Sequence, residues 1–517
     1  MKIASNRSRI GISFLILFAI LYCLPALVAQ FWNDNDTWSN LLPIIHYQRS
    51  ILNEHSLPLY TDLWYGGHYQ WANPLWSFLY LPATIVWLIT PLDWGARIIF
   101  LGHLIFALLT ARMLASLFLE KELEITSAAI ILSSPVLPAL NAGHMEKVMS
   151  WGWILLSFYF LLNVKLTLKQ RGLGSGICLG IVPLTGANYY SLYAVVLLLP
   201  LVLSYKDRKL LLFFAIGSLV GLLHLPSVWQ MIGHSRAYAK FYVAANSLSL
   251  LDIASSLATG LTKQVSWETW APIGIPTIYL FVIIIAKRIQ KIFSPQKTGL
   301  SYSNTALLFS IVLLTLLATG IAYRGHNLLD SFRVPSRALA FIALGIALFV
   351  LLNIQLLKQN TNIVQNSIGV LLFISGVQIA ASAWQIRPAG SVHSPYEPAV
   401  QSLAATLKAD GAQSVWFSAK DLSYMYIHVG LTRNNISLPV VYYGDMGQTV
   451  EITGDHCGYS FDHLITLSPI EGPMMELNAD IEWSTARGEI STDKLSLLEQ
   501  LNLDDGEFNV YRVTCNR

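Results

Sequence analysis

The chain has 517 residues, of which 54% are hydrophobic and only 12% charged, and its mean hydropathy is +0.51. This composition is too apolar for a soluble globular protein and indicates a polytopic membrane protein. The net charge of +3 is uninformative as a total, because in a membrane protein the distribution of Lys and Arg among the loops carries the information. The chain contains no basic tract or nucleic-acid-binding motif, which argues against a nucleic-acid partner.

The first apolar segment, residues 10–29, follows three basic residues and is long enough to span a bilayer. The rival interpretation is a cleaved signal peptide, whose apolar core usually has only ~7–15 residues. Cleavage after Ala29 would also put Leu27 where a small residue is needed. We therefore predict a retained anchor with a cytoplasmic N-terminus.

The loop at residues 30–95 opens with an acidic and aromatic stretch, FWNDNDTW. Asp34 and Asp36 lie one residue apart where a membrane helix meets water, a costly place for carboxylates unless they are used. Such a pair can share a divalent cation or transfer a proton. Alternatively, both are solvated loop acids, or one caps the helix that apolar spacing predicts over residues 37–53.

The topology depends on the apolar segment 75–90, which contains Pro82. If this segment does not cross, the basic clusters at 165–171, 206–209 and 287–297 all lie on the side of the N-terminus, as the positive-inside rule requires. If it does cross, all three clusters lie outside. We therefore predict eleven spans, with soft boundaries, at about 10–29, 96–118, 126–141, 148–164, 173–188, 190–204, 210–226, 273–286, 304–322, 337–353 and 367–386.

Two domains are predicted: an all-α polytopic membrane domain at 1–386 and a small exported α/β domain at 387–517. In the second domain, PAVQSLAATLKADGAQSVWFSA predicts an amphipathic helix, a turn at Asp410 and Gly411, and a strand. On this topology the loop 30–95 and the C-terminal domain face the same, extracytoplasmic side.

The four cysteines divide between these two domains. Cys23 and Cys178 fall in apolar segments, where a small buried thiol is expected. Cys457 and Cys515 lie in the polar region, and an exported domain permits a disulfide between them if they are close.

A second group of ionisable residues stands in the turn GHMEK between two predicted spans, on the same side as Asp34 and Asp36. His144 and Glu146 can complete a metal site with Asp34, or can hold a phosphate-bearing donor together with Lys147. An ordinary polar hairpin between helices is the alternative.

Arginines form a third group, in the loop that runs from residue 323 to residue 337. Arg324, Arg333 and Arg337 break the positive-inside trend, and arginine is the preferred planar partner of phosphate. The alternative is that they reach lipid phosphates at a helix end.

Earlier in the chain, His68 and Trp64 belong to the stretch WYGGHYQW, whose aromatic rings suit either stacking on a sugar or an interfacial belt. No P-loop, GxGxxG, HExxH or GxSxG motif occurs, so nucleotide-driven transport and common hydrolase mechanisms have no support.

The order of these features resembles the GT-C superfamily of integral-membrane glycosyltransferases, which includes the protein mannosyltransferases, aminoarabinose transferases and oligosaccharyltransferase catalytic subunits. The resemblance covers residues 10–225: an anchor, an outward acidic motif, a surface helix, the stretch NPLW at 73–76, prolines at 135 and 138, and a second polar turn. The stretch 332–337 and the exported tail are similar to those of large bacterial members of that group, which implies the inner membrane as the location.

The resemblance implies a sugar donor linked to a polyprenyl phosphate, attacked at the outer membrane face by an acceptor of unknown identity. A first-loop carboxylate deprotonates or orients that acceptor, and Asp36 or Asp34 matches it here. His144 and Glu146 stand at the second motif, which is usually acidic, so the resemblance leaves open whether a divalent cation (Mg or Mn) takes part. The rival functions are a transporter or flippase for a lipid-linked sugar, which would use the acids for ion coupling, and a non-catalytic membrane assembly protein.

Overall fold

Most described residues of the chain lie in helices joined by short connections. The computed structural model describes residues 2–28, 31–32, 44–61, 68–69, 77–141, 143–226, 247–260, 270–292, 302–321, 335–358, 362–385, 390–391, 397–418, 431, 434–436, 450–451, 462–466, 474–481, 484–491, 495–503 and 506–513.

The helices in chain order are α1 (Lys2–Val28), α2 (Leu81–Ile89), α3 (Leu92–Ala115), α4 (Glu122–Ser133), α5 (Val136–Asn141), α6 (Met145–Leu162), α7 (Leu168–Leu184), α8 (Asn188–Ser204), α9 (Arg208–Ser218), α10 (Leu250–Thr259), α11 (Ile275–Ile292), α12 (Tyr302–Ala318), α13 (Leu339–Lys358), α14 (Asn362–Gln385) and α15 (Glu397–Ala409). Shorter helical pieces are the π-helical turn Arg49–Asn53 and the 3₁₀ segments Leu219–His224 and Pro335–Ala338.

The strands are β1 (Phe31–Trp32), β2 (Tyr60–Thr61), β3 (His68–Tyr69), β4 (Gly390–Ser391), β5 (Val415–Ser418), β6 (Val450–Glu451), β7 (His463–Thr466), β8 (Met474–Ile481), β9 (Ser484–Ser491), β10 (Leu495–Leu503) and β11 (Gly506–Val513).

Each predicted span coincides with one helix or with two consecutive helical pieces. Three of these stretches among the described residues are both long and apolar enough to cross a membrane: Trp94–Ala115, Pro335–Gln355 and Ser367–Gln385. The chain is therefore an integral membrane protein, whereas the number of eleven spans stays a prediction, as does the side on which each loop lies. Helix α2 has nine residues, which rise only ~14 Å against a hydrocarbon core of ~30 Å, so it is too short to cross by itself.

The described chain divides into two compact units. The first contains residues 1–27, 97–225 and 239–389 and is helical. Its core includes α13, which is apolar and buried on every face from residue 339 to residue 351, with Leu339, Phe341 and Phe349 among the buried side chains. Cys23 and Cys178 are buried free thiols, as predicted.

Glycines let two helices of this unit, α7 and α9, approach each other closely. Gly172 and Gly176 lie four residues apart on α7, and a Cβ added at Gly176 would overlap the carbonyl oxygen of Phe214 on α9. On α9 a Cβ added at Gly217 would lie 2.7 Å from the carbonyl oxygen of Leu173. Small residues at such spacing permit close backbone packing between membrane helices.

The second unit contains residues 28–96, 226–238 and 390–517. Strand β1 pairs with β4 in antiparallel register, so that Phe31 lies opposite Ser391. Residues 28–96, which contain the first loop, therefore belong to the same compact unit as the C-terminal region. The domain boundary predicted from the sequence, at 386/387, stays a prediction.

The C-terminal part of this unit combines α15 with a four-stranded sheet in the order β10-β11-β7-β5, in which only β5 and β7 are parallel. Strands β6, β9 and β8 form a separate sheet. The predicted helix, turn and strand at 397–418 are confirmed, and Gly411 has the positive φ of +78° that the turn requires. Cys457 and Cys515 lie outside the described residues.

A polar cluster ties this turn to the sheet. The His463 ring lies between two carboxylates, with Nε2 2.8 Å from Asp410 Oδ2 and Nδ1 2.8 Å from Asp462 Oδ1. Arg512 on β11 forms an ion pair with Asp410. Burial raises the pKa of Asp462, but the hydrogen bond with the His463 ring and those from the backbone N–H groups of Gln413 and Ser414 outweigh it, so that the pKa lies below the ordinary value.

Candidate functional site

Three ionisable side chains are buried together where α5 turns into α6. Gly143 adopts a positive φ of +72° there, and α6 begins directly after His144. His144 Nδ1 lies 3.0 Å from Glu146 Oε1, and Lys147 Nζ lies 3.4 Å from the same oxygen. The side chain of Lys147 is only 3% exposed and that of Glu146 only 10%. The turn is therefore a charged cluster largely shielded from water.

The cluster keeps the Glu146 carboxylate ionised. Burial raises the pKa of this carboxyl, but the Lys147 ammonium and the His144 ring outweigh it, so that the pKa falls from 4.5 to about 2. The position of Glu146 in the first turn of α6 adds favourable interaction with the helix dipole. Its second oxygen, Oε2, is buried and has no hydrogen-bond partner among the described residues. A buried ionised oxygen without a partner is costly and indicates a place for a ligand or water.

A second turn, between α7 and α8, contacts the first. Thr185 Oγ1 shares its hydrogen between the carbonyl oxygen of Glu146 at 3.2 Å and that of Val182 at 2.7 Å. Gly186, with a φ of +84°, lets the chain reverse, and Asn188 then begins α8 in a buried position.

Arg337 reaches the same turn from the 3₁₀ segment that precedes α13. Its guanidinium carbon lies 4.6 Å from the centre of the Tyr189 ring, a cation–π contact. The structure thus places one of the three predicted arginines next to the turn that touches Glu146.

Aromatic rings from three helices hold these elements together. Trp151 on α6, Tyr190 on α8 and Phe341 on α13 contact one another edge to face, with ring centres 5.1 to 5.9 Å apart. Lys147 lies on α6, Tyr189 lies on α8, and Arg337 directly precedes α13. Because these three helices are joined by the aromatic contacts, the two turns and Arg337 are held in fixed relative positions.

The other predicted site residues are placed less fully. Asp34, Asp36, Trp64, Arg324 and Arg333 lie outside the described residues, and their roles stay predictions. His68 lies in β3, where it pairs with Thr61 of β2.

Sequence reasoning missed Thr185, Asn188 and Tyr189. A signal was available, because the predicted spans 173–188 and 190–204 put this turn on the same face as the charged turn. A stretch of small and hydroxyl residues without charge gave no chemical reason to select it.

The described residues give little support to a divalent cation at this cluster. Among them, no three His, Cys, Asp or Glu residues come together in a way that could hold a metal ion. An ammonium 3.4 Å from Glu146 Oε1 already neutralises the carboxylate that would have to bind the cation. Because the predicted metal site included Asp34, which lies outside the described residues, it stays a prediction.

The solved structures similar to this chain are GT-C glycosyltransferases, as the sequence resemblance predicted. The arabinofuranosyltransferase AftD from Mycobacteria matches over 98% of this chain with a TM-score of 0.50 at 13% identity, and the match covers 40% of AftD. At this identity the likeness shows the fold alone. No protein-family model and no curated protein sequence matches the chain.

Two further solved structures are similar over most of this chain. One is the oligosaccharyltransferase of Archaeoglobus fulgidus in complex with Zn and sulfate, with a TM-score of 0.44 and 14% identity over 85% of this chain and 63% of that one. The other is ArnT from Cupriavidus metallidurans bound to undecaprenyl phosphate, with a TM-score of 0.43 and 10% identity over 83% of this chain and 89% of that one.

Proposed function

We propose that this protein is a membrane glycosyltransferase that moves a sugar from a polyprenyl-phosphate-linked donor to an acceptor at the outer membrane face. The proposal draws its reaction class from the shared fold with AftD, an arabinofuranosyltransferase. The observation that carries it is the buried cluster of His144, Glu146 and Lys147, with an ionised carboxylate oxygen that lacks a partner among the described residues. A purely structural turn gains nothing from burying such a charge.

Glycosyl transfer from a phosphate leaving group needs a base for the acceptor hydroxyl and positive charge for the departing phosphate. In this proposal Asp36 is the base, and Asp34 beside it tunes its proton affinity. His68 and Trp64 contact the sugar or the acceptor. The residues proposed to bind the phosphate are Lys147, Arg324, Arg333 and Arg337.

Glu146 is proposed as a positioning residue in this reaction. Its carboxylate lies 3.4 Å from the Lys147 ammonium, whose side chain is only 3% exposed, and compensates that buried positive charge. Its contact with Thr185 through the main chain fixes the turn that Arg337 approaches through Tyr189. Phosphate recognition by Arg337 would use the planar edge of the guanidinium while the face stacks on the ring.

The position of the charges favours an enzyme over a transporter. Transporters place ionisable residues near the bilayer midplane on broken helices. Here Glu146 and Lys147 lie in the first turn of α6, at a helix end.

The proposed function is tested by transfer of radiolabelled sugar from a panel of polyprenyl phosphate sugars in membranes. The variants are Asp34→Asn, Asp36→Asn and Glu146→Gln, each of which keeps the side-chain shape and removes the charge. We expect Asp36→Asn to lower transfer by ~10²-fold or more, as for loss of a general base.

Glu124→Gln is the matched control for Glu146→Gln. Glu124 is also buried in the first turn of a helix and also lies near a lysine, with 3.7 Å between its Oε1 and Lys121 Nζ. Transfer by this control should equal that of wild type.

Unchanged transfer in all three test variants would reject the site, and no transfer by wild type across the panel would favour the transporter or assembly function.

A further inference from the structure

A separate cavity lies between α1, α4 and α14, three helices of the first unit. Its volume is about 370 Å³, and most of its lining is apolar, with Ile10 and Phe14 from α1, Leu123 from α4, and Phe373 and Val377 from α14. These five side chains are between 43% and 68% exposed, so the cavity is an open groove.

The hydroxyl groups in the groove wall offer almost nothing to a polar ligand. Thr126 Oγ1 donates to the carbonyl oxygen of Glu122 at 2.9 Å, and Ser127 Oγ donates to that of Leu123 at 2.8 Å. Both hydroxyl hydrogens are therefore used within α4. The wall presents methyl, methylene and aromatic groups to whatever fills the groove, and such a wall selects hydrocarbon.

Glycine keeps the groove open where the helices meet. A Cβ added at Gly11 would overlap the carboxylate of Glu122, and a Cβ added at Gly376 would lie 3.3 Å from Ser127 Cα. On the α14 side the groove is therefore bounded where α14 and α4 meet at Gly376 and Ser127, whereas on the α1 side the Glu122 side chain bounds it.

The groove lies along a helix that faces the membrane. Helix α14 contains the span Ser367–Gln385, only 33% of which is buried within the protein. Phe373, Val377 and Ala380 fall near the middle of that span. In an integral membrane protein this surface meets lipid chains, and the volume has room for roughly a dozen groups of the size of a water, ~30 Å³ each.

Charges of both signs mark one end of the groove. Arg112 Nε donates to Glu122 Oε1 at 3.2 Å, and Lys121 Nζ lies 3.7 Å from Glu124 Oε1. The Lys121 side chain is 59% exposed, as expected of a lysine that extends to a lipid head group. Two bases and two acids complement a head group that carries both a phosphate and an ammonium.

We propose that this groove binds one acyl chain of a zwitterionic phospholipid, with the head group beside Arg112, Lys121 and Glu122. The phosphate lies towards the two bases and the ammonium towards the acids. The site is distinct from the His144 cluster, and the proposal does not depend on the transfer reaction.

Native mass spectrometry of the full chain in mild detergent tests this proposal, with added phosphatidylethanolamine or phosphatidylglycerol. Val377→Trp fills the groove, whereas Ile374→Trp is a matched control on α14 that does not line the groove, with 47% exposure against 51% for Val377. We expect one phosphatidylethanolamine on wild type and on Ile374→Trp. Occupancy should fall at least about tenfold in Val377→Trp, because displacing even two methylene groups from an apolar site weakens binding by about that much.

Equal occupancy in Val377→Trp and wild type would overturn the proposal, and so would equal loss in both tryptophan variants. Binding of phosphatidylglycerol as tight as that of phosphatidylethanolamine would overturn the assignment of the head group. A co-purifying protein in place of a lipid would overturn the assignment of the occupant. If Val377→Trp does not fold, Ala380→Met narrows the same groove with a smaller side chain and is judged by the same outcomes.

Discussion

Lys147→Met removes the cation that neutralises Glu146 while keeping a side chain of similar length and apolar volume. In the wild type, Lys147 Nζ lies 3.4 Å from Glu146 Oε1 and the lysine side chain is 3% exposed. Among the described residues, the substitution leaves the His144 ring as the remaining ion-pair partner of the buried carboxylate.

At 3.4 Å and an effective dielectric constant near 20, the attraction between the two charges is about 5 kcal/mol. Removing one partner of a buried pair typically costs about 3–5 kcal/mol, because the remaining charge stays buried without compensation. We therefore expect Lys147→Met to lower the free energy of unfolding by about that amount. The double variant Lys147→Met/Glu146→Gln removes both charges and should be more stable than Lys147→Met alone.

The free energy of unfolding is measured by SDS titration in mixed micelles, with helix content followed by circular dichroism. Lys121→Met is the control, because its ammonium also lies near a buried glutamate but is 59% exposed, so its loss should cost less than about 1 kcal/mol. The reasoning fails if Lys147→Met costs no more than the control. It also fails if the double variant is less stable than Lys147→Met.

Two further predictions concern packing and pH. Gly176→Ala should destabilise the helix pair α7 and α9 by about 1–3 kcal/mol, because its Cβ would overlap a carbonyl oxygen of α9. Gly102→Ala, at a helical site with nothing within 4 Å, should be neutral or stabilising in the same SDS titration, and equal effects would contradict the packing argument. Because the folded-state pKa of Asp462 lies below its ordinary value of 3.8, its contribution to stability is present above about pH 4 and is lost as pH falls through the folded-state value. After correction for the pH dependence of intrinsic exchange, hydrogen-exchange protection at 462–466 should therefore fall in acid in wild type, whereas Asp462→Asn should lack that part of the pH dependence; an identical protection profile would refute it.

Local features of the sequence were enough to predict several elements. Apolar segments of sufficient length predicted helices, and each of these segments overlaps one helix or two consecutive helical pieces, whereas the number of eleven spans stays a prediction. The order Asp410-Gly411 between an amphipathic segment and an alternating one predicted the turn and strand at 410–418, since glycine readily adopts positive φ. The charged turn was also visible, because His144, Glu146 and Lys147 are neighbours in the chain.

Contacts between distant residues had no comparable signal. The hydrogen bond from Thr185 to Glu146 joins residues 39 positions apart, and the stacking of Arg337 on Tyr189 joins two more distant segments. The pairing of β1 with β4 likewise links the first loop to the C-terminal region. Helical periodicity shows which face of a helix is apolar, but it does not show which other helix covers that face.

The sequence predicts features that depend on a few neighbouring residues, whereas features that depend on packed, distant segments require the tertiary structure. Hydrophobicity, glycine conformation and the adjacency of charges act over a few residues, so the sequence by itself determined a helical membrane protein with an acidic first loop and a charged turn. The burial of Glu146 and Lys147, the Glu146 Oε2 without a partner among the described residues, and the groove beside α14 arise only when helices pack. Tertiary structure alone decided these features, because burial and cavity shape are properties of several chain segments at once.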